Sequence, residues 1–405
     1  VTTEASATAE GDTAAESSAP TEGDTAAEGD TTTEADHTPA VQRTALVERH
    51  RSLGARLIDF AGWEMAVSYT GILDEHRAVR ERVGLFDLSH MGEVWVTGPG
   101  AATGLAAALV SDPTRLAPGR AHYSMICAAD GGIIDDLIVY RVADDRYMVV
   151  PNASNREEVA RELRDRLADH DAALDDASLR TSLVAVQGPR ASEVLQPLTD
   201  VDLSSLRYYS IAEGHACGEA AFIARTGYTG EDGFELFVDW DAALPVWDRL
   251  MEAGAAAGII ACGLGSRDTL RLEAGMPLYG NELDRQTNPF DAGLGRVVKL
   301  DKGTDFVGRD ALARVAENGP QKQLVGMIVR GRGIARHGYD VHIPGEASAA
   351  GVVTSGAPSP TLGVPIAMGY LPPGDTAVGT MVQVAIRASH VDAQVVPLPF
   401  YKRSG

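Results

Sequence analysis

Lysine is nearly missing from this chain. Only Lys299, Lys302, Lys322 and Lys402 occur; arginine carries the rest of the positive charge, and 35 basic residues face 57 acidic ones for a formal net charge of −22. Sequence-independent nucleic-acid binding needs cationic contacts to phosphate, so an acidic excess of this size excludes that class. Cysteine is scarce too. Cys127, Cys217 and Cys262 lie far apart without a CxxC pair, and the ten histidines show no HExxH or other tight ligand spacing. Neither a disulfide framework nor a metal site is expected, and the thiols read as reduced and at least half-buried. No apolar run reaches the roughly 18 residues of a membrane span. The most apolar window, 253–264, is short and carries three glycines. No basic segment followed by an apolar one opens the sequence, so no signal peptide is expected and the default location is cytoplasmic. Nucleotide motifs also fail: Gly263-Leu-Gly265 lacks the third glycine of a dinucleotide fingerprint, Gly98-Pro-Gly-Ala-Ala-Thr-Gly104 has no P-loop lysine, and no nucleophile elbow occurs.

What is present is a 405-residue, 42.7 kDa chain with 44% hydrophobic residues, enough for a sizeable core and two or three domains. Residues 1–40 differ in composition from everything that follows. Ten acids there face no lysine or arginine, the stretch loosely repeats Thr-Glu-Gly-Asp-Thr-Ala-Ala-Glu, and it has no aromatic residue, Leu or Ile. Burial cannot offset its ordering entropy, so a disordered acidic tail is expected over 1–40. Acidity with scarce lysine also suits a salt-rich cytoplasm, where screening shrinks to roughly 3 Å at molar salt and self-repulsion no longer opposes compaction.

From residue 41 the texture is that of a folded α+β protein. Residues 93–97 alternate around Val94 and Val96; 133–142 and 146–150 are β-rich runs joined by Ala143-Asp144-Asp145, a hairpin signal; 234–238 alternates again. Ser154-Asn-Arg-Glu157 has the form of a capping box opening a helix with Val159, Leu163 and Leu167 at four-residue spacing. A second helix is expected over 242–257, and Ser266 reads as the cap of a third. After Gly319-Pro320, short β-type runs at 324–329, 339–343, 349–354, 366–370, 381–386 and 391–396 suggest a small barrel or sandwich.

Three stretches carry chemistry-bearing residues in unusual settings. Asp135 and Asp136 interrupt an apolar strand after Gly131-Gly132. Successive strand side chains point to opposite faces, so at least one carboxylate must enter a covered face, which is costly unless it is bonded. The alternative is a strand-start aspartate bonded to a turn. Arg225-Thr-Gly-Tyr-Thr-Gly-Glu-Asp-Gly-Phe-Glu235 is a glycine-rich polar loop that also reads as a long hairpin turn. Arg267, in the first turn of a helix, opposes the helix dipole and calls for an acidic partner or a ligand.

Taken in order, Phe60-Ala-Gly-Trp-Glu-Met, Glu75-His-Arg-Ala-Val-Arg80, Gly84-Leu-Phe-Asp-Leu-Ser-His-Met-Gly-Glu93, Gly131-Gly-Ile-Ile-Asp-Asp-Leu137, Gln187-Gly-Pro189, the 225–233 loop, Arg267-Asp-Thr-Leu-Arg-Leu-Glu-Ala-Gly-Met276, Leu278-Tyr-Gly280, Thr354-Ser-Gly-Ala-Pro-Ser-Pro-Thr-Leu362 and Pro399-Phe400 resemble the glycine cleavage T-protein family. The match runs from about residue 46 to the C-terminus. The resemblance implies an α+β, three-domain arrangement around a central folate channel. Two α+β domains, the first discontinuous, would occupy residues 41–318, with a C-terminal β-barrel over 319–405. It implies an aminomethyltransferase: the one-carbon unit of an aminomethyl-lipoyl H-protein passes to tetrahydrofolate, giving 5,10-methylenetetrahydrofolate, ammonia and dihydrolipoyl H-protein. Tetrahydrofolate is then a co-substrate, the lipoylated H-protein a partner, and no metal or tightly bound cofactor is expected. Asp136 falls on the family's acidic position near the reacting folate nitrogens. Met91, Tyr123, Asn152, Tyr228, Glu235 and Arg267 fall on folate-pocket positions, and Tyr401 on another in a tail that is compressed relative to the family pattern. Relatives that demethylate a small methylated amine or sulfonium compound with the same folate pocket are the alternative. A non-enzymatic folate-binding relative is disfavoured, because Tyr123, Asp136 and Arg267 are all retained and a short cysteine motif is missing.

Overall fold

A computed structural model describes residues 41–403; the expectation of a disordered tail over 1–40 lies outside them. The longest strand, Ile133–Ala143, joins Arg120–Cys127 and Arg146–Pro151 antiparallel on its two sides. These three, with Val94–Thr97 and Ala173–Asp176, make a five-stranded sheet. Strand parity decides what each face meets. Leu137 and Val139 share a core cluster with Leu105, Val159 and Leu163 of the helices Ala101–Ala108 and Arg156–Arg166. Ile138 and Tyr140 face the other way, into a cluster with Phe86, Leu183, Ala224 and Phe237.

Those last four belong to a six-stranded sheet, ordered Ile211–Ala216, Glu219–Ala224, Gly233–Asp239, Thr181–Gln187, Val83–Asp87, Ile259–Ala261. The two sheets therefore pack face to face, each with helices on its outer side. For the six-stranded sheet the outer layer includes Ala243–Ala253, whose Val246, Trp247 and Leu250 are fully buried. The strand at 83–87 precedes the whole five-stranded sheet in sequence and the rest of its own sheet follows it, so the chain leaves this layer and returns. Residues beyond 320 form a closed six-stranded barrel: Gln323–Val329, Pro365–Leu371, Gly351–Pro358, Asp340–His342, Met381–Ile386 and Ser389–Val396. Its runs coincide with those read from the sequence to within a few residues. Among the described residues, no helix is long and apolar enough to cross a membrane, and the three cysteines are unpaired.

Two helix starts differ from expectation. The helix expected from Ser154 begins at Arg156, with Asn155 as N-cap and no side-chain cap bond. The Asn155 amide is committed elsewhere: its Nδ2 donates to Asp135 Oδ1 at 2.7 Å. The helix expected to open at Ser266 begins at Leu264 behind Gly263. Gly263 N donates to Glu75 Oε2 at 2.9 Å, and Ser266 Oγ turns back to Gly263 O at 2.9 Å. A Cβ on Gly263 would lie 2.4 Å from the Val67 carbonyl carbon, so glycine is what lets this helix end press against the neighbouring strand.

Candidate active site

The acid pair straddles Ile133–Ala143, an inner strand of the five-stranded sheet. Asp135 points to the helix-covered face and is fully buried. It is bonded to the turn that follows the neighbouring strand: Asn152 N donates to Oδ2 at 2.9 Å, and the side-chain amides of Asn152 and Asn155 donate to Oδ1 at 2.9 and 2.7 Å. The strand-start aspartate bonded to a turn is thus a correct description of Asp135. Asp136 enters the seam between the sheets and stays partly exposed. Tyr123 Oη donates to its Oδ2 at 2.9 Å, and Asn152 Nδ2 to its Oδ1 at 2.9 Å. The register explains the first contact: Asp136 pairs with Met125, and Tyr123 is the diagonal neighbour two residues along on the same face. Neither carboxylate faces open solvent, unlike one of the arrangements that strand parity allowed.

Burial pushes the Asp136 carboxyl up to about 6, although the Tyr123 and Asn152 hydrogen bonds favour its charged form. Asp135 is raised as well, by burial and then by the charge of Asp136. Two carboxylates on consecutive residues titrate as a pair. The seam therefore holds a carboxyl group poised to gain or lose a proton near neutrality, with a neutral Tyr123 hydroxyl whose ionisation burial suppresses.

Tyr228, Glu235 and Arg267 come from the other sheet and from the helix Leu264–Glu273. The 225–232 loop does connect two antiparallel strands, as its hairpin reading held. It is braced by an Arg225–Asp232 ion pair at 2.6 Å and by Thr229 Oγ1 donating to Gln187 Oε1 at 2.9 Å. Gly227 fits against Gln187, whose Oε1 would lie 2.1 Å from an added Cβ. Tyr228 Oη donates to Pro277 O, and its ring lies 4.7 Å from the Arg267 guanidinium carbon. Glu235 accepts from Thr226 Oγ1 and, at 3.3 Å, from Tyr140 Oη. The Arg267 side chain has neither a hydrogen bond nor an ion pair among the described residues, and burial lowers its pKa. The residue is half-buried, and Glu235 acts on its charge without pairing with it, so the specific acidic partner is replaced by a stacked cation open to a ligand. Met91 lies half-buried in the apolar cluster between the sheets. Tyr401 stands apart from the acid pair. Its ring covers the Arg80 guanidinium at 4.0 Å and its N donates to Glu273 O at 2.8 Å, joining the C-terminal tail to the helices Ile72–Glu81 and Leu264–Glu273.

Several participants were not singled out from sequence. Asn155 supplies a bond to Asp135, and Thr226 and Tyr140 hold Glu235. His90 is fully buried with Nδ1 unpartnered, and burial with the Arg267 charge lowers its pKa to about 4, so it is neutral at physiological pH. The buried Arg271–Glu282 pair lies beneath Tyr228. His90, Thr226 and Arg271 lie inside motifs quoted above without a role given to them, and Asn155 stands near Asn152 just after the strand that pairs with the acid strand.

Comparison with known proteins matches this architecture along nearly the whole folded part. The model of the GCVT N-terminal domain covers residues 46–302, and that of the glycine cleavage T-protein C-terminal barrel domain covers residues 322–402. An aminomethyltransferase of Streptomyces avermitilis is 56% identical over 368 residues, covering 90% of this chain and 98% of the relative. One from Rubrobacter xylanophilus is 52% identical over 363 residues, covering 90% and 95%. The crystal structure of the glycine cleavage system aminomethyltransferase T from Bartonella henselae superposes with a TM-score of 0.84 at 35% identity, over 89% of this chain and 98% of that one. The chain belongs to the glycine cleavage T-protein family of aminomethyltransferases.

Proposed function

We propose that this chain transfers the one-carbon unit of an S-aminomethyl-lipoyl H-protein to tetrahydrofolate, with Asp136 beside the reacting atoms. The observation that carries the reading is the partly exposed carboxylate in the seam, held by Tyr123 and Asn152. Family membership supports the reaction, and the curated relatives quoted above bear the aminomethyltransferase name. In the balanced step both the C–N and the C–S bond of the aminomethyl thioether break, so that ammonia and the lipoyl sulfur leave. The carbon passes to the two folate nitrogens, and the two hydrogens lost from folate end on ammonia and on the lipoyl sulfur. Departure of ammonia needs a proton at the amine and leaves cationic character on carbon. A fixed carboxylate stabilises that charge and can relay the proton. Glu235 is suited to accept hydrogen bonds from the aminopterin edge, Arg267 to meet an acceptor or anionic group of folate, and Met91 and the Tyr228 ring to supply apolar walls. Tyr401, beside Arg80, is assigned to the outer end of the folate site. Residues 41–318 form the folate-binding region in this reading, and 319–405 the barrel domain.

A coupled assay in molar KCl with aminomethylated H-protein and tetrahydrofolate tests the reaction. Ammonia release that requires both substrates is the expected result. One-carbon transfer from a small methylated amine or sulfonium donor, without release from the H-protein, would replace this reading by the demethylase one.

We place the reaction in a reducing, salt-rich cytoplasm. Three unpaired thiols fit the first property, and a net charge of −22 with four lysines fits the second. Screening in molar salt removes most repulsion between acids farther apart than about 3 Å. Circular dichroism in dilute buffer should therefore show partial unfolding that reverses on adding KCl to molar concentration. A melting temperature independent of salt would sink the adaptation.

A further inference from the structure

Beneath Tyr228 a charged pair is shut away from water: Arg271 and Glu282 are each 1% exposed. Arg271 Nη1 donates to Glu282 Oε2 at 2.8 Å and to Met276 O at 3.2 Å, while Nη2 donates to Ser355 Oγ of the barrel at 2.7 Å. Glu282 Oε2 also accepts Leu278 N at 3.0 Å, and Glu282 O accepts the barrel's Tyr370 Oη at 2.7 Å. Asn281 Nδ2 adds a 3.0 Å bond to Ser355 Oγ. The pair thus dictates the path of residues 276–282.

That path touches both arms of the site. Pro277 O receives the Tyr228 hydroxyl. Farther along, Asp284 O and Thr287 O both accept Ile133 N, at 3.2 and 3.0 Å, and Tyr279 Oη donates to Ile133 O at 3.2 Å. Ile133 is two residues before Asp135 on the same strand. The approach is close enough to require Gly132, since a Cβ there would lie 2.0 Å from Arg285 O. Glu282 Oε1 is buried without a partner among the described residues, so the Arg271 charge is what balances the carboxylate, and moving either partner would leave an uncompensated buried charge, which is strongly destabilising; the pair therefore tolerates few arrangements of the segment it holds.

We propose that Arg271 and Glu282 are positioning residues: they lock the 276–287 segment, through which the barrel braces Tyr228 and the Asp135–Asp136 strand against each other. The barrel is then a working part of the folate site and not an appended module. The inference rests on the reading of Asp136 and Tyr228 as site residues. The charge of Glu282 also contributes to raising the Asp136 carboxyl, which supplies a second readout.

The test uses the full chain in molar KCl with Ser355→Ala, Glu282→Gln and Arg271→Lys. Ser355→Ala should raise the KM for tetrahydrofolate about tenfold and leave the KM for H-protein nearly unchanged, beside a modest fall in melting temperature from the Arg271 and Asn281 donors that lose an acceptor. Glu282→Gln, nearly isosteric, should also shift the acid limb of the kcat profile to lower pH, because a negative charge near Asp136 is gone. Arg271→Lys, which cannot span the same acceptors, should lose about a hundredfold in kcat/KM. If Arg271→Lys fails to fold, the other two variants decide. Lower melting temperatures with wild-type KM and an unmoved pH profile would reduce the pair to scaffolding and overturn the proposal. Failure of the functional reading is separately visible: the wild type itself would then release no ammonia, while tetrahydrofolate binding by titration calorimetry would still compare the variants.

Discussion

Asp136→Asn should lower aminomethyl transfer by about 10²- to 10⁴-fold, the range expected for loss of a positioned proton-transfer or charge-stabilising group. The same substitution should stabilise the fold at neutral pH. Asparagine can keep both contacts, accepting from Asn152 Nδ2 and donating to Tyr123 Oη, which replaces the bonds at 2.9 Å each. It removes the need to ionise a carboxyl that burial has raised to about 6. The sign follows from proton linkage. Between the ordinary carboxylate range near 4 and the folded value, the native state binds more protons than the unfolded one, so wild-type stability falls as pH rises through that window. Above pH 6 the cost is on the order of 2–3 kcal/mol. The variant should be more stable by up to that amount at pH 8, and the difference should vanish on acidification toward pH 4. Urea unfolding in molar KCl measures it, alongside single-turnover transfer. Near-wild-type turnover in the variant would refute the role of Asp136. Equal stability at pH 8 would show that the site carries no such cost.

Glu273→Gln should have the largest effect on stability, costing about 3–5 kcal/mol as expected for breaking a buried ionic network. Glu273 is fully buried and accepts six hydrogen bonds. Arg80 Nε and Nη2 approach Oε2 at 3.1 and 2.9 Å, with His76 Nε2 at 3.1 Å and Thr361 Oγ1 at 2.7 Å; Oε1 accepts Thr361 N at 3.0 Å and Ser359 Oγ. A glutamine presents its NH2 group either to the two donors that arrive at Oε1 or to the four that arrive at Oε2, and Arg80 loses one of its two carboxylates. Burial alone would raise Glu273, but the bonds from His76, Ser359 and Thr361 prevail and hold it at about 2. Here the linkage has the opposite sign. The unfolded state binds more protons below the ordinary value of 4.5, so the stabilisation is complete above pH 4.5 and is lost as pH falls toward 2. Wild type and variant should therefore differ most at neutral pH and converge in acid. A difference below about 1 kcal/mol at pH 7 would mean that solvent or rearranged partners replace the network.

The two experiments contrast two buried acids that composition cannot tell apart. Asp136 is destabilising where it stands and is kept for chemistry; Glu273 is satisfied on every side and holds the Ile72–Glu81 and Leu264–Glu273 helices against the barrel hairpin around Ser359 and Thr361. Strains of the first kind are expected at functional sites.

Local patterning in the sequence was sufficient for much of the fold. A β-rich run located the Ile133–Ala143 strand and period-two alternation the Gly233–Asp239 strand, and six β-type runs after Gly319-Pro320 became six barrel strands. Helix starts were less legible. Asn155 stands at the cap position in place of the expected Ser154 and bonds Asp135 outside its helix, while Ser266 lies inside its helix and bonds the carbonyl of the N-cap Gly263. The ordered motifs pointed to the family, and strand parity alone put Asp135 and Asp136 on opposite faces. What tertiary structure decided is which face each acid met. Asp135 meets asparagines of the next turn, and Asp136 meets a seam formed only when a second sheet, drawn from residues 83–87 and 181–261, closes over the first. It also decided that Arg267 has no acidic partner among the described residues while Arg271, one helical turn on, is fully paired. Both arginines carry the same charge in the same short motif. Asp268, three residues before Arg271 in the same helix, is a local part of that pairing; the buried part comes from Glu282 and Ser355, which are 11 and 84 residues away along the chain and adjacent to Arg271 only after folding. Desolvation and pairing are properties of that assembled neighbourhood, which no local pattern in a sequence encodes.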